Sequence, residues 1–239
     1  MTLLTTELHP GNNGGVIVFA ADRRITRGTT PSADQKKIFR IQGMSVGIGY
    51  FGLAEVPTSV GNQPMADWVQ DFLYTVQHSE TIGAIAGRLA HSLNSAVPLD
   101  WKQTERSGFH LAGFSSSGRA EFWFVRNVDD NGNPTLGQYE AREDFQRRDA
   151  PNLAPGQAQI YRNGDIRAHV AAWERLDEAF GSLLAAPDFR SIQTTGDYLG
   201  WVQFKMKTIA AFYERYCTES IIGEPIDAFA FSASQFEGV

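Results

Sequence analysis

The residues able to do chemistry are few, and most of them lie near the start of the chain. Thr2, Thr5 and Thr6 stand there together, Asp22 and Arg24 follow an apolar run, and Lys37 opens another. A threonine hydroxyl is a poor nucleophile until a neighbouring base takes its proton. At a chain terminus that base can be the residue's own α-amine, whose unperturbed pKa is about 7.7–8.0. Taken singly, these residues have plainer readings. Asp22 could end a strand and pair with Arg24 or Lys37 on the surface, and a Met-Thr start is common. Other chemistries find little footing. Cys217 is the sole cysteine, which excludes an intrachain disulfide and a Cys-based zinc site. The histidines at 9, 78, 91, 110 and 169 show no metal spacing and read as solvent-facing or satisfied core residues. No metal or other cofactor is expected.

These side chains need elements to position them. Thr2 to His9 reads as a strand, Gly11 to Gly15 as a hairpin turn, and Val16 to Ala21 as a continuous apolar strand. Lys37 to Ile41 and Met44 to Tyr50 are two more. Asn62 to His78 carries Met65, Trp68, Val69, Phe72, Leu73 and Val76 at helical spacing, a core stripe and not a ligand box. A second helix is predicted over Thr81 to Ser95, and Pro98 ends the helical part. Phe109 to Phe114 and Ala120 to Arg126 form a hairpin across Ser115 to Gly118. A turn over Asp129 to Asn133 leads into a strand from Thr135 to Arg142, and a short piece follows at Gln159 to Tyr161. Helices over Ile166 to Leu184 and Tyr198 to Tyr216 precede a last strand, Ile226 to Phe231. The second of these helices has a predicted stripe of Leu199, Val202, Phe204, Met206, Ile209, Phe212 and Tyr213. Long blocks of each kind argue for an α+β fold of stacked layers, two sheets with helices outside each. Neither a linker nor a repeat divides the 239 residues, so one domain is expected.

Composition narrows the partners. The net charge of −6 disfavours a general nucleic-acid role, and Arg23-Arg24 and Arg147-Arg148 read as solvated or paired. No apolar run approaches membrane-spanning length and no secretory signal is evident, so the expected location is the cytoplasm, away from membranes.

The segment from Gly15 to Gly28, with Asp22 and Arg24 in it, resembles the opening of proteasome β subunits and their bacterial HslV-like relatives. Lys37 stands where that family has a lysine just before the next strand. Phe51-Gly52-Leu53-Ala54-Glu55 resembles the family's Gly-Gly-x-Ala-Asp. Leu111 to Gly118 is similar to its later hairpin, and Ile222 to Asp227 to its turn into the last strands. The likeness is specific over residues 15 to 55 and loose after about 130. It implies a bacterial proteasome homologue with a four-layer αββα sandwich, the N-terminal-nucleophile (Ntn) hydrolase architecture. In the family the nucleophile lies across the first hairpin from the residue after the aspartate, here Arg23. Pairing Thr2 with Arg23 centres the turn on Asn12-Asn13, which suits a type I′ turn. Pairing Thr6 with Arg23 forces Pro10 into the strand. Thr2, freed by loss of Met1, is therefore the expected nucleophile.

The resemblance further implies that Lys37 is the cation beside the hydroxyl, with Asp22 aiming it and Arg24 bracing the region. The oxyanion is expected near the amides of Phe51 and Gly52. Three departures stand out. Phe51 replaces a usual glycine, Arg162-Asn163-Gly164-Asp165 replaces a Gly-Ser-Gly, and Tyr216 to Ser220 replaces an Asp-x-x-Ser, with Glu219 and Ser220 as substitutes. The expected activity is peptide-bond hydrolysis through an acyl-enzyme. The implied partners are further copies of the chain in a ring, peptide or unfolded-protein substrate, and an ATPase unfoldase. Two alternatives stay open: a catalytically silent structural subunit, and an amidase acting on a small amide.

Overall fold

A computed structural model describes residues 3–9, 15–27, 30–129, 133–134, 137–143, 158–165, 167–189, 191–219 and 221–233. Apolar and β-branched runs make its first strands, β1 (Leu3–His9) and β2 (Val16–Asp22), both buried almost throughout. They pair antiparallel from Leu4↔Ala21 to His9↔Val16. In this register Thr6 faces Phe19 and not Arg23. Thr2 itself and the Asn12-Asn13 turn lie outside the described residues.

A small hairpin, β3 (Arg24–Arg27) and β4 (Thr30–Asp34), leads to β5 (Ile38–Arg40) and β6 (Val46–Phe51). A second small hairpin, β7 (Glu55–Thr58) and β8 (Gly61–Pro64), takes the start of the helix expected from Asn62. Helix α1 (Met65–Tyr74) begins only where the apolar period does, burying Met65, Val69 and Phe72. Helix α2 (Ile82–Ala96) follows, with Thr81 Oγ1 accepting the Ala84 N–H at 3.1 Å as its cap. Pro98 does not end the helical part. It precedes α3 (Leu99–Thr104), because proline is tolerated at a helix start, where amides lack intrahelical partners.

β9 (Gly108–Phe114) and β10 (Ala120–Arg126) form the expected hairpin, and β11 (Glu140–Glu143) is shorter than the predicted strand. β12 (Gln159–Gly164) leads to a π-helical stretch, Ala168–Trp173, that continues into α4 (Glu174–Leu184). Helix α5 (Thr195–Tyr216) carries a full capping box between Thr194 and Asp197. Its buried face is Val202, Lys205, Met206, Ile209, Ala210 and Tyr213. Phe204 and Phe212, predicted on that face, are exposed, since they flank the stripe instead of centring on it. β13 (Ile226–Ser232) closes the described chain.

The fold is α+β. A four-stranded sheet runs β12-β1-β2-β13 and a five-stranded sheet β11-β10-β9-β6-β5. Leu4, Leu8, Phe19 and Phe231 of the first sheet share a core cluster with Ile38, Ala112 and Phe122 of the second. On its other face the five-stranded sheet packs Ile48, Tyr50 and Leu111 with α1 and α2. The other face of the four-stranded sheet packs Leu3, Val18 and Ala20 with Trp173 and α5. Among the described residues no helix is long and apolar enough to cross a membrane.

Candidate active site

Asp22 ends β2 and Lys37 precedes β5, and the two side chains meet with no solvent exposure on either. Lys37 Nζ donates to Asp22 Oδ1 at 3.0 Å and to the Arg24 carbonyl at 2.6 Å. An ammonium has three donors, so two are used among the described residues. The same Asp22 Oδ1 accepts the backbone N–H of Leu3 at 2.8 Å, which ties the pair to the amino end of β1. Asp22 Oδ2 is buried and has no hydrogen-bond partner among the described residues. Burial drives the Asp22 carboxyl up, and the Lys37 charge works against it. Burial likewise draws Lys37 down, countered by Asp22. A surface pairing of Asp22, the plainer reading of the sequence, is thus set aside by geometry.

Arg24 braces the region from two directions. Its carbonyl holds Lys37, while its guanidinium donates to the Ile222 carbonyl at 3.2 Å and to Glu214 at 2.8 Å. The guanidinium lies over Gly223, where an added Cβ would stand 2.1 Å from its central carbon. Arg23 forms a two-pronged pair with Asp227 at 2.7 and 2.6 Å, fastening the ends of β2 and β13.

Phe51 ends β6 beside Gly108, and its ring meets His110 and Phe124 in the layer between the sheets. Gly52 follows with φ +90, and a Cβ there would fall 2.1 Å from the Arg106 carbonyl oxygen. This turn therefore requires glycine. Glu219 is half-buried and gives its carbonyl to the Ile221 N–H at 2.7 Å, but its carboxylate makes no hydrogen bond or ion pair among the described residues. Ser220 and Thr2 lie outside the described residues, as do Arg147 and Arg148.

The segment Arg162 to Asp165 comes beside the start of β1, since β12 pairs Leu3 with Gly164 and Leu4 with Asn163. Asp165 is buried and accepts the Arg167 amide at 2.8 Å and its guanidinium at 2.6 Å. Burial would raise the Asp165 pKa, but the Arg167 bonds outweigh it and the net shift is down.

Two buried polar groupings have partners that the sequence-based expectations did not name. Thr6 Oγ1 meets His110 Nδ1 at 2.9 Å, and His110 Nε2 meets Asn163 Oδ1 at 2.5 Å. Since Asn163 Oδ1 can only accept, the proton sits on Nε2, and Nδ1 accepts from the Thr6 hydroxyl. His110 is a satisfied core histidine, with burial pushing its pKa down to about 3. Thr5 is also buried, so neither competing threonine is at an open site. The second grouping is Glu7, which contacts His9 at 2.8 Å and Lys205 at 3.5 Å, while Lys205 reaches Asp177 at 2.6 Å and lies over Trp173. One signal could have found it: Glu7 shares the strand parity of Leu3 and Thr5, between Thr6 and Leu8.

No known protein-family model matches the sequence, and neither does any curated protein.

Proposed function

We propose that this chain is an N-terminal-threonine hydrolase that cleaves amide bonds through an acyl-enzyme, with Thr2 as nucleophile once Met1 is removed. The observation that carries the reading is the Asp22–Lys37 pair: wholly buried, and hydrogen-bonded to the amide of Leu3, the residue next to Thr2. Two sheets sharing one core, each with helices on its far face, support reading the fold as a four-layer αββα sandwich of the Ntn-hydrolase kind.

In this mechanism the α-amine of Thr2 takes the proton from its own hydroxyl as the oxygen attacks the substrate carbonyl. The third donor of Lys37 supports that oxygen, and its charge keeps the amine neutral by disfavouring a second cation nearby. Asp22 fixes the lysine in position. The amides of Phe51 and Gly52 receive the developing oxyanion, held by the glycine turn. On collapse the α-ammonium gives its proton to the leaving nitrogen, the C–N bond breaks to release the amine, and a threonyl ester remains. The neutral α-amine then takes a proton from the water that cleaves the ester and returns it to the Thr2 oxygen. Because the base must be neutral, kcat/KM falls on the acid side with an apparent pKa below about 7.7.

The test combines intact-protein mass spectrometry with hydrolysis of a fluorogenic peptide. Loss of Met1 and a single acyl adduct on Thr2 after treatment with an acylating inhibitor are expected. Thr2→Ala should cut turnover about 10³-fold or more without changing the fold. Full activity in Thr2→Ala, with loss in Thr5→Ala or Thr6→Ala, would overturn the assignment.

A further inference from the structure

The proposed reaction draws on both sheets. The nucleophile immediately precedes β1, in the four-stranded sheet, whereas the oxyanion donors stand at the end of β6, in the five-stranded one. The layer between the sheets is largely apolar, with Leu4, Leu8, Phe19, Phe122 and Phe231 in it. Apolar contact is non-directional, so it holds the sheets together without fixing one against the other. His110 supplies directional contacts in that layer. It lies on β9 opposite Gly49 of β6, and its ring meets that of Phe51 edge-on at 6.1 Å. From there Nδ1 accepts from the Thr6 hydroxyl of β1 at 2.9 Å, and Nε2 donates to Asn163 of β12 at 2.5 Å. Asn163 is in turn the pairing partner of Leu4 on β1. The sheets come close at this level, since a Cβ on Gly49 would stand 2.8 Å from Leu4 Cδ1. Thr6 and His110 have no solvent exposure, so their bond does not compete with bulk water.

We infer that His110 is a positioning residue for the hydrolysis. By bonding to Thr6 and Asn163 it sets β1 against β6, and so the nucleophile against the oxyanion donors. This role rests on the hydrolase reading. A misplacement of about 1 Å at a reacting centre can cost about 100-fold in rate. The loss falls on turnover, because only the tetrahedral state bonds to groups from both sheets at once.

The test is kinetic, on a fluorogenic peptide and on a peptide aldehyde, whose hemiacetal with the Thr2 hydroxyl reproduces the tetrahedral state. Thr6→Val keeps the shape of the side chain and removes its donor. It should lower kcat about tenfold, leave KM within about twofold, and weaken the aldehyde by about the same factor as kcat. Thr6→Ser keeps the donor and should stay within about threefold of the parent in all three quantities. His110→Phe removes both bonds and should fall at least as far as Thr6→Val; should it fail to fold, the two Thr6 variants still decide. A Thr6→Val protein that loses stability in urea but keeps kcat and aldehyde affinity would overturn the inference, because the bond would then be structural only. Thr6→Ser falling as far as Thr6→Val would overturn it too. Failure of the hydrolase reading shows elsewhere, as a parent protein without turnover or a Thr2→Ala variant with full turnover, and removes this role with it.

Discussion

Removing Lys37 should reveal what the buried pair does, because Asp22 would be left as a carboxylate with neither water nor counter-ion. Loss of one partner of a buried pair typically costs about 3–5 kcal/mol. Asp22 can escape that penalty by taking a proton, since burial already drives its carboxyl up. A carboxyl with a raised folded pKa favours the folded state at low pH, and that advantage is lost as pH rises through the folded pKa. Lys37→Met should therefore lose less stability relative to the parent at pH 5 than at pH 8 in urea titrations. Asp22→Asn added to Lys37→Met should recover part of the loss. For kcat/KM, the two single variants and the double should fall by similar factors if the pair acts as one unit. His110 gives a second pH prediction. Its pKa is near 3 when folded and about 6.5 when unfolded. Its stabilising contribution is complete above the unfolded value and shrinks as pH falls from about 6.5 toward 3, by up to about 1.4 kcal/mol per pH unit. His110→Gln should flatten the stability profile in that window. The ordered series Asp22, Arg24 and Lys37 was legible through the resemblance of residues 15 to 55 to a known family, since Asp22 taken singly reads as a surface residue. The partners of His110 and Glu7 were not, because burial of a lone polar residue depends on groups far along the chain, Asn163 and Lys205.

Elements were legible where one local pattern sets both type and end. The β1–β2 pairing was legible from two strand-like runs on either side of a glycine-rich turn signal, and α2 from its Ile82, Ile85, Leu89, Leu93 stripe. The start of α1 was missed because Gly61 to Pro64 pair with Glu55 to Thr58 through the backbone, which leaves no apolar signature. The π-helical stretch before α4 has none either. Helix α5 was misjudged at its start, where Thr194 and Asp197 form the capping box. Thr194→Ala should lower stability by about 1 kcal/mol, read as a shifted urea midpoint at an unchanged slope. Gly52→Ala should cost more, because it combines a left-handed backbone with a collision at the Arg106 carbonyl. Since Gly52 carries one of the two proposed oxyanion donors, activity should fall in parallel. A variant with full stability but no activity would locate its effect in the chemistry alone.

At the scale of the molecule, the block order of strands and helices argued for an α+β fold, because only stacking buries every apolar stripe at once, and the structure is α+β. The strand order within each sheet, β12-β1-β2-β13 and β11-β10-β9-β6-β5, is set by long-range pairing that local sequence does not encode. What the stripes do not cover is equally informative. Phe212 and Tyr216 on α5 are 61% and 64% exposed, their rings 5.0 Å apart, and Leu183 on α4, Phe189 between the helices and Phe204 on α5 are also exposed. Large exposed apolar side chains of this kind mark association surfaces. A hydrolase enclosed in a ring would bury them against neighbouring copies. Light scattering at micromolar concentration should then give a mass several times 26.4 kDa. Phe212→Asp with Tyr216→Asp should lower that mass while leaving circular dichroism unchanged, because both side chains lie outside the packed core. The Asp22–Lys37 site lies within one chain, so the dissociated variant should still cleave a short peptide while losing any size exclusion of larger substrates. A monomeric parent protein would defeat the chamber reading and move the activity toward hydrolysis of a small amide. A mass that does not respond to the two aspartates would place the contact on another face.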